Sequence, residues 1–458
     1  MFLRQGEQNM RDLLRTAANV RPNGKQLNML RNNNFYAFVH FGVNTFTDME
    51  WGTGKESPEI FNPAKLDCDQ WVEAVKSAGM TGIVLTAKHH DGFCLWPSKY
   101  TEHSVRNSPF RNGKGDVVKE CADACAKGGI KFGFYLSPWD RNAPTYGTDA
   151  YNDYFKAQLT ELLTQYGEIF YVWFDGACGE GPNGKKQVYD FDGYIELINK
   201  YQPNAAIFSD FGPDIRWCGN EQGSSRYAEW AVVPYELCHR NKEVHWIDSP
   251  IQGDLSYMYN CDQNIGSLSN IMYSKGLVFC PSEVDMSIRK GWFYHKEEEP
   301  HFLDKLFDTY IRSVGGNCTF NLNIPPTPDG RFDERDVKRL KELGEKIRNT
   351  FSNNLAKNAK IQRVDKNADK SQCEYIIKLP AKQKISYVVI KEEIEKGQRI
   401  EGFQIIDGSF ANNKISIYEG TTVGNMKICP VKTQTDTLIL RIISARSEAL
   451  IKSIELYA

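Results

Sequence analysis

The residues of this 458-residue chain best suited to chemistry are carboxylates and imidazoles standing where apolar runs end. The run Ile169-Phe170-Tyr171-Val172 gives way to Trp173-Phe174-Asp175-Gly176-Ala177, a buried strand closing on an acid and a glycine. An Asp in that position commonly caps the next turn. In a parallel α/β protein it is also where catalytic groups are placed, because loops at the carboxyl ends of strands vary without disturbing the sheet. Hydrolysis of a glycosidic bond needs a second carboxyl group. One group is ionised, to attack carbon or to activate water, and the other is protonated, to supply the leaving oxygen. The segment Asp214-Ile215-Arg216-Trp217-Cys218-Gly219-Asn220-Glu221 offers Asp214 and Glu221, and spacing does not choose between them.

Imidazoles form the second group. His89-His90-Asp91-Gly92 follows one apolar run and His40-Phe41-Gly42 another, so three of the eight His point toward one mouth. Three readings stand: ligands to a metal, hydrogen-bond partners for a polyhydroxylated molecule, or structural histidines. Neighbours on a strand face opposite sides, so His89 and His90 share a ligand only if the strand breaks up there.

The elements that must position these groups alternate. Residues 35–42, 82–92, 131–135, 169–175 and 205–210 read as strands buried on both faces. Helices are expected after the first four of these runs, within 67–79, 116–126, 151–166 and 194–200, the first started by Asp67 and Gln70 as a capping-box-like pair and stopped by Gly79. A short helix around 10–18 leads in. Such alternation implies a parallel sheet, and functional residue types at every strand end favour a (β/α)8-like barrel. From 211 to about 274 the rhythm fails, so the barrel is expected to lack one or two helices. Late strands are read at 276–281 and 317–323, with helices at 302–314 and 334–348. Beyond residue 352, short period-two runs at 387–390, 403–405, 415–417, 438–442 and 453–456 describe a β-sandwich. The expected division is therefore a catalytic barrel at 1–352 and a sandwich at 353–458, the latter bracing the barrel.

Composition excludes several classes. With 56 Lys+Arg against 58 Asp+Glu and no basic stripe, nucleic acid is not an expected partner. No apolar run reaches membrane-spanning length. Aromatic residues at 12%, nine of them Trp, suit a site that stacks sugar-like ligands. The twelve Cys are scattered and frame no zinc site, which with the absence of a visible signal peptide favours a cytoplasmic protein. A secreted or periplasmic chain already trimmed of its leader would read the same. The sequence is silent on oligomeric state.

Taken together, His40-Phe41-Gly42, Glu50-Trp51, Lys88-His89-His90-Asp91-Gly92-Phe93, Tyr135-Leu136-Ser137-Pro138-Trp139, Trp173-Phe174-Asp175-Gly176 and Asn321-Leu322-Asn323-Ile324-Pro325-Pro326 resemble the α-L-fucosidases of glycoside hydrolase family 29. The resemblance runs from about residue 35 to 331. It implies a retaining mechanism with Asp175 as nucleophile. The Gly-Asn-Glu segment resembles the subgroup preferring α-1,3/4-linked, branched fucosides, which implies Glu221 as acid/base. His40, His89, His90, Tyr135 and Trp173 match positions that hold the fucose ring. Glu50 and Trp51 match less closely, and Arg216 and Trp292 are placed in the site by position alone. A fucosylated oligosaccharide is the implied partner, with no cofactor and no metal. Two alternatives remain: a metal-dependent barrel hydrolase ligated by His40, His89, His90 and Asp175, and a carbohydrate-binding protein without turnover.

Overall fold

The computed structural model describes residues 2–210, 212–238, 264–409 and 415–458. Phe211 and much of the arrhythmic stretch therefore lie outside the described residues. The strands up to residue 323 are β1 Phe35–Val39, β2 Gly82–Lys88, β3 Lys131–Leu136, β4 Tyr171–Trp173, β5 Ala206–Ser209, β6 Ile215–Trp217, β7 Val232–Pro234, β8 Leu277–Phe279, β9 Ser282–Ser287 and β10 Thr319–Asn323. Eight of them close a parallel barrel in the order β1-β10-β9-β6-β5-β4-β3-β2, β1 pairing with both β2 and β10.

β1 to β4 lie between the barrel interior and the helical layer, which is why their apolar runs are continuous. β1, β2 and β4 are buried at every residue. Six helices cover the outside: Cys68–Ser77, Val117–Gly128, Asp149–Gln165, Phe191–Tyr201, Leu303–Ser313 and Glu334–Phe351. Their starts follow the capping signals. Asp67 accepts from Gln70 N and Asp116 from Lys119 N. Gln70 does not complete a capping box, however; its side chain donates to Phe332 O (3.0 Å) and accepts from Phe332 N (2.9 Å), stitching the helix to the last barrel loop instead.

Among the described residues, no helix longer than four residues follows β5 or β6 before β9. A second N-terminal helix, Gly24–Asn32, not expected from sequence, packs at β5, where Gln26 donates to Asp214 O (3.2 Å) and to Phe279 O.

Two strands differ from expectation. The apolar run at 276–281 supplies not a barrel strand but β8, which pairs antiparallel with β7 outside the barrel. The barrel strand is the next segment, Ser282-Glu283-Val284-Asp285-Met286-Ser287. There Val284 and Met286 face the helical layer, while Glu283 and Asp285 face inward. A strand whose buried inner face is polar carries no apolar run to find.

The C-terminal residues form β11 Lys360–Asp365, β12 Cys373–Glu392, β13 Ile400–Asp407, β14 Ile415–Gly420, β15 Lys427–Ala445 and β16 Ile451–Tyr457. β12 and β15 run antiparallel over most of their length, with register shifts between Lys378 and Gln383 and between Ile385 and Tyr387. Their two ends carry different partners: β11 and β13 at one end, β16 at the other. Ile377, Ile385, Ile390, Leu440 and Leu456, from both ends, share a single core. The sheet thus folds over itself as a sandwich whose layers share two long strands. Its outer aromatics meet the barrel helices, Tyr387 lying 5.5 Å from Phe351 and 6.3 Å from Phe307, and Tyr457 5.2 Å from Phe351. Edge-on pairs of this kind contribute about 0.5–1.5 kcal/mol each beyond their buried area.

Candidate active site

At the carboxyl ends of the strands lies a cavity of about 520 Å³, lined among others by His40, His89, His90, Asp175, Glu221 and Asp285. The volume suits one small ligand.

Asp175 follows β4 after one residue, Phe174. Its Oδ1 accepts from Ala177 N (2.7 Å) and its Oδ2 from Tyr135 OH (3.1 Å). The turn-capping and cavity-facing readings of this acid are therefore both correct, and one oxygen serves each. Gly176 is required by close approach: a Cβ there would stand 1.8 Å from Asp210 Oδ2.

β2 ends at Lys88, after a register shift against β3 between Thr86 and Lys88. The strand does break up there, and His89 and His90 both line the cavity, their rings 4.1 Å apart. Ser137 Oγ gives its proton to Trp139 O (2.7 Å), so the 2.8 Å contact between Ser137 Oγ and His90 Nδ1 has the imidazole as donor. His90 Nε2 is then an acceptor, 3.9 Å from Asp175 Oδ2. His40 Nδ1 lies 2.8 Å from Asn323 Oδ1, which likewise leaves Nε2 as an acceptor. His89 Nδ1 is buried without a hydrogen-bond partner among the described residues. Burial lowers the pKa of all three rings, that of His40 to about 3, so they stand neutral around pH 7.

Glu221 stands at the rim, its Oε2 accepting from Trp292 Nε1 (3.3 Å). Loss of water around its carboxyl raises its pKa, helped by the charges of Asp175 and Glu50 and opposed by the indole hydrogen bond. Asp214 stands at the opposite end of β6. It accepts from Asn23 Nδ2 (3.0 Å) and Ile207 N (3.0 Å), lies 3.9 Å from Lys25 and does not line the cavity. Of the two acids left open by spacing, only Glu221 faces Asp175.

Aromatic rings form the walls. Trp173 stacks on Phe208 at 4.2 Å and on Tyr135 at 5.3 Å, and Phe38, Trp217 and Trp292 complete the apolar surface. Trp51 lies at the rim, 49% exposed, edge-on to His90 and Trp139. Glu50 lines the cavity, but its oxygens are engaged by Trp292 N (2.8 Å), Phe293 N (3.1 Å) and His295 Nε2 (2.7 Å).

Arg216 is not in the site. On β6, Ile215 and Trp217 point into the barrel and Arg216 points out, where it pairs with Glu229 and donates to Cys280 O (3.1 Å) and Trp230 O (3.0 Å). Alternation along the strand puts Trp217, not its neighbour, at the cavity.

Beneath the cavity lies a group not anticipated from sequence. Glu283 is fully buried on the barrel axis, accepting from Tyr36 OH, Tyr171 OH (2.7 Å), Trp173 Nε1 (2.7 Å) and Asn321 Nδ2 (3.2 Å). It hydrogen-bonds to Asp285, whose Oδ1 has no partner and which lines the cavity floor. Two bonded carboxyl groups hold a proton between them. Burial raises both, Asp285 to about 7 and Glu283 well above the usual range. The signal was the pair Glu283 and Asp285 at strand spacing, hidden because the apolar run beside it was read as the strand.

Among the described residues no three His, Cys, Asp or Glu side chains gather with metal-ligand spacing, so the histidines and Asp175 do not form the ligand set that a metal-dependent hydrolase requires. A closed parallel barrel, with two carboxyl groups facing each other across an aromatic cavity at the strand ends, defines a glycoside hydrolase. The α-L-fucosidase family model matches residues 24–350. α-L-Fucosidase 1 of Arabidopsis thaliana is 41% identical over 448 residues, 92% of this chain and 84% of that protein. A crystal structure from Bacteroides ovatus has a TM-score of 0.86 at 42% identity, covering 98% of this chain and 76% of that one. A Ruminococcus gnavus family 29 fucosidase in complex with fucose gives a TM-score of 0.81 at 28% identity, covering 96% and 95%. The chain belongs to the α-L-fucosidase family.

Proposed function

We propose that this protein is a retaining exo-α-L-fucosidase that removes terminal α-1,3- or α-1,4-linked fucose from branched oligosaccharides. The observation that carries the reading is that Asp175 and Glu221 reach one monosaccharide-sized cavity from different elements, with Glu221 biased toward protonation by burial. Asp175 attacks the anomeric carbon as Glu221 passes its proton to the departing oxygen, leaving a covalent fucosyl-enzyme. Glu221, now a carboxylate, takes a proton from the water that displaces Asp175, and two inversions retain configuration. The 3.9 Å between His90 Nε2 and Asp175 Oδ2 is too long for a direct bond, and a fucose hydroxyl beside His90 donates its one proton to Nε2. Trp173, Trp217 and Phe38 offer the apolar surface that the C5 methyl requires.

The test compares fucosylated trisaccharides branched through 1,3 and 1,4 linkages with a 1,2-linked analogue and an aryl fucoside, following the product anomer by NMR. Turnover of the branched substrates with α-fucose as first product is expected. β-Fucose first would overturn retention, and equal turnover of the 1,2 linkage would overturn the branched preference.

A further inference from the structure

One imidazole ties two loops of the mouth together. His295, in the loop after β9, has Nδ1 2.6 Å from Asp48 Oδ1 and Nε2 2.7 Å from Glu50 Oε1, both acids lying in the loop after β1. With a carboxylate acceptor on each nitrogen, both carry protons and the ring is an imidazolium. Glu50 also takes Trp292 N and Phe293 N, so it grips the loop after β9 at three points. Trp292 hands the constraint on: its indole donates to Glu221 and its carbonyl accepts from Asn323 Nδ2 (2.8 Å). The approach is so close that a Cβ on Gly291 would stand 2.6 Å from Glu50 Oε1 and 2.7 Å from His295 Cδ2.

We propose that His295 is a positioning residue: held between Asp48 and Glu50, it locks the loop after β1 to the loop after β9 and thereby sets Trp292 against Glu221. The inference rests on Glu221 being the acid/base of the proposed fucosidase. The charged groups facing the ring are Asp48 and Glu50; on its own loop, Glu298 turns its carboxylate to Gly291 N (2.9 Å). Burial opposes the charge on His295 and the two carboxylates outweigh it, so its pKa rises above 6.5. The clasp is therefore complete below pH 6.5 and is lost as pH rises through the His295 value.

The experiment measures kcat and KM for an aryl α-L-fucoside across pH in wild type, Asp48→Asn, His295→Gln and the double variant, with amide hydrogen exchange at Trp292 and Phe293. Each single variant is expected to lose about tenfold in kcat/KM at low pH, the size of one charged hydrogen bond. The double variant should lose no more than either single, exchange at both amides should quicken, and the wild-type advantage should vanish above the His295 pKa. Multiplying losses, a ratio flat with pH, or unchanged exchange would each overturn the proposal. A wild type that turns over no fucoside would defeat the functional reading instead, and amide exchange would still decide the clasp.

Discussion

Three imidazoles gather on one side of the cavity, with Glu50 beside them, and a cluster of carboxylic acids on the other. The loops after β1 and β2 bring His40, His89 and His90, each with its pKa lowered by burial. β9 and the loop after β6 bring Asp285, Glu283 and Glu221, each with its pKa raised by burial. Desolvation disfavours the charged form in both cases, and so moves bases and acids in opposite directions toward neutrality. One cavity thereby presents acceptors for sugar hydroxyls on one wall and transferable protons on the other, with Asp175 standing between them after β4.

The contrast breaks most severely at Asp175. Asp175→Ala is expected to lose roughly 10,000-fold in kcat on aryl and oligosaccharide substrates alike, with partial rescue by azide. Ordinary turnover in that variant would remove the nucleophile assignment. Glu221→Ala should separate the substrates, costing about 1,000-fold on oligosaccharides but about tenfold or less on aryl fucosides, whose leaving groups need no proton. Equal losses on both would return Glu221 to a structural role.

The neighbours on β6 sharpen the inner and outer faces. Arg216→Met leaves Glu229 buried beside Arg226 alone, and should cost about 3 kcal/mol in urea unfolding with KM unchanged. Trp217→Ala should raise KM instead. The reverse pattern would mean that the facing of this strand is wrong.

The last contrast lies in pH dependence. His40 moves from 6.5 unfolded to about 3 folded, so its contribution is complete above pH 6.5 and is lost as pH falls toward 3. Asp285 moves from 3.8 to about 7, so its contribution is complete below pH 3.8 and is lost as pH rises toward 7. Each gives a slope of about 1.4 kcal/mol per pH unit within its window. His40→Gln should flatten the acid limb of the stability curve and Asp285→Asn the alkaline limb. Identical curves for the two variants would erase the distinction between the walls.

The same division decides what the sequence discloses. β1 to β4 are apolar runs ending in polar residues, and their strand ends, histidines and nucleophile candidate are readable as such. β9 was not readable, because the floor acids occupy the inward positions where apolar residues are sought. Position alone puts Arg216 in the site, and the alternation of β6, a three-residue strand with no apolar run to announce it, turns Arg216 outward and Trp217 inward. Nothing local marks His295, whose partners lie 247 and 245 residues away. In the sandwich, β11 and the first half of β12 carry no clean period-two apolar run, because Lys, Gln and Arg interrupt the one and Glu, Lys and Pro the other.

Closure of the barrel has a temporal consequence. His40 N donates to Asn323 Oδ1 across 283 residues of sequence, and β1 finds its second neighbour only in β10. On the ribosome β1 is made well before β10, and one of its edges stays unpaired until the intervening barrel has emerged. Contacts of such long range make for slow folding and expose strand edges meanwhile. The histidine wall and the acid floor therefore come face to face only once β10 has been made and the barrel's first strand meets its last.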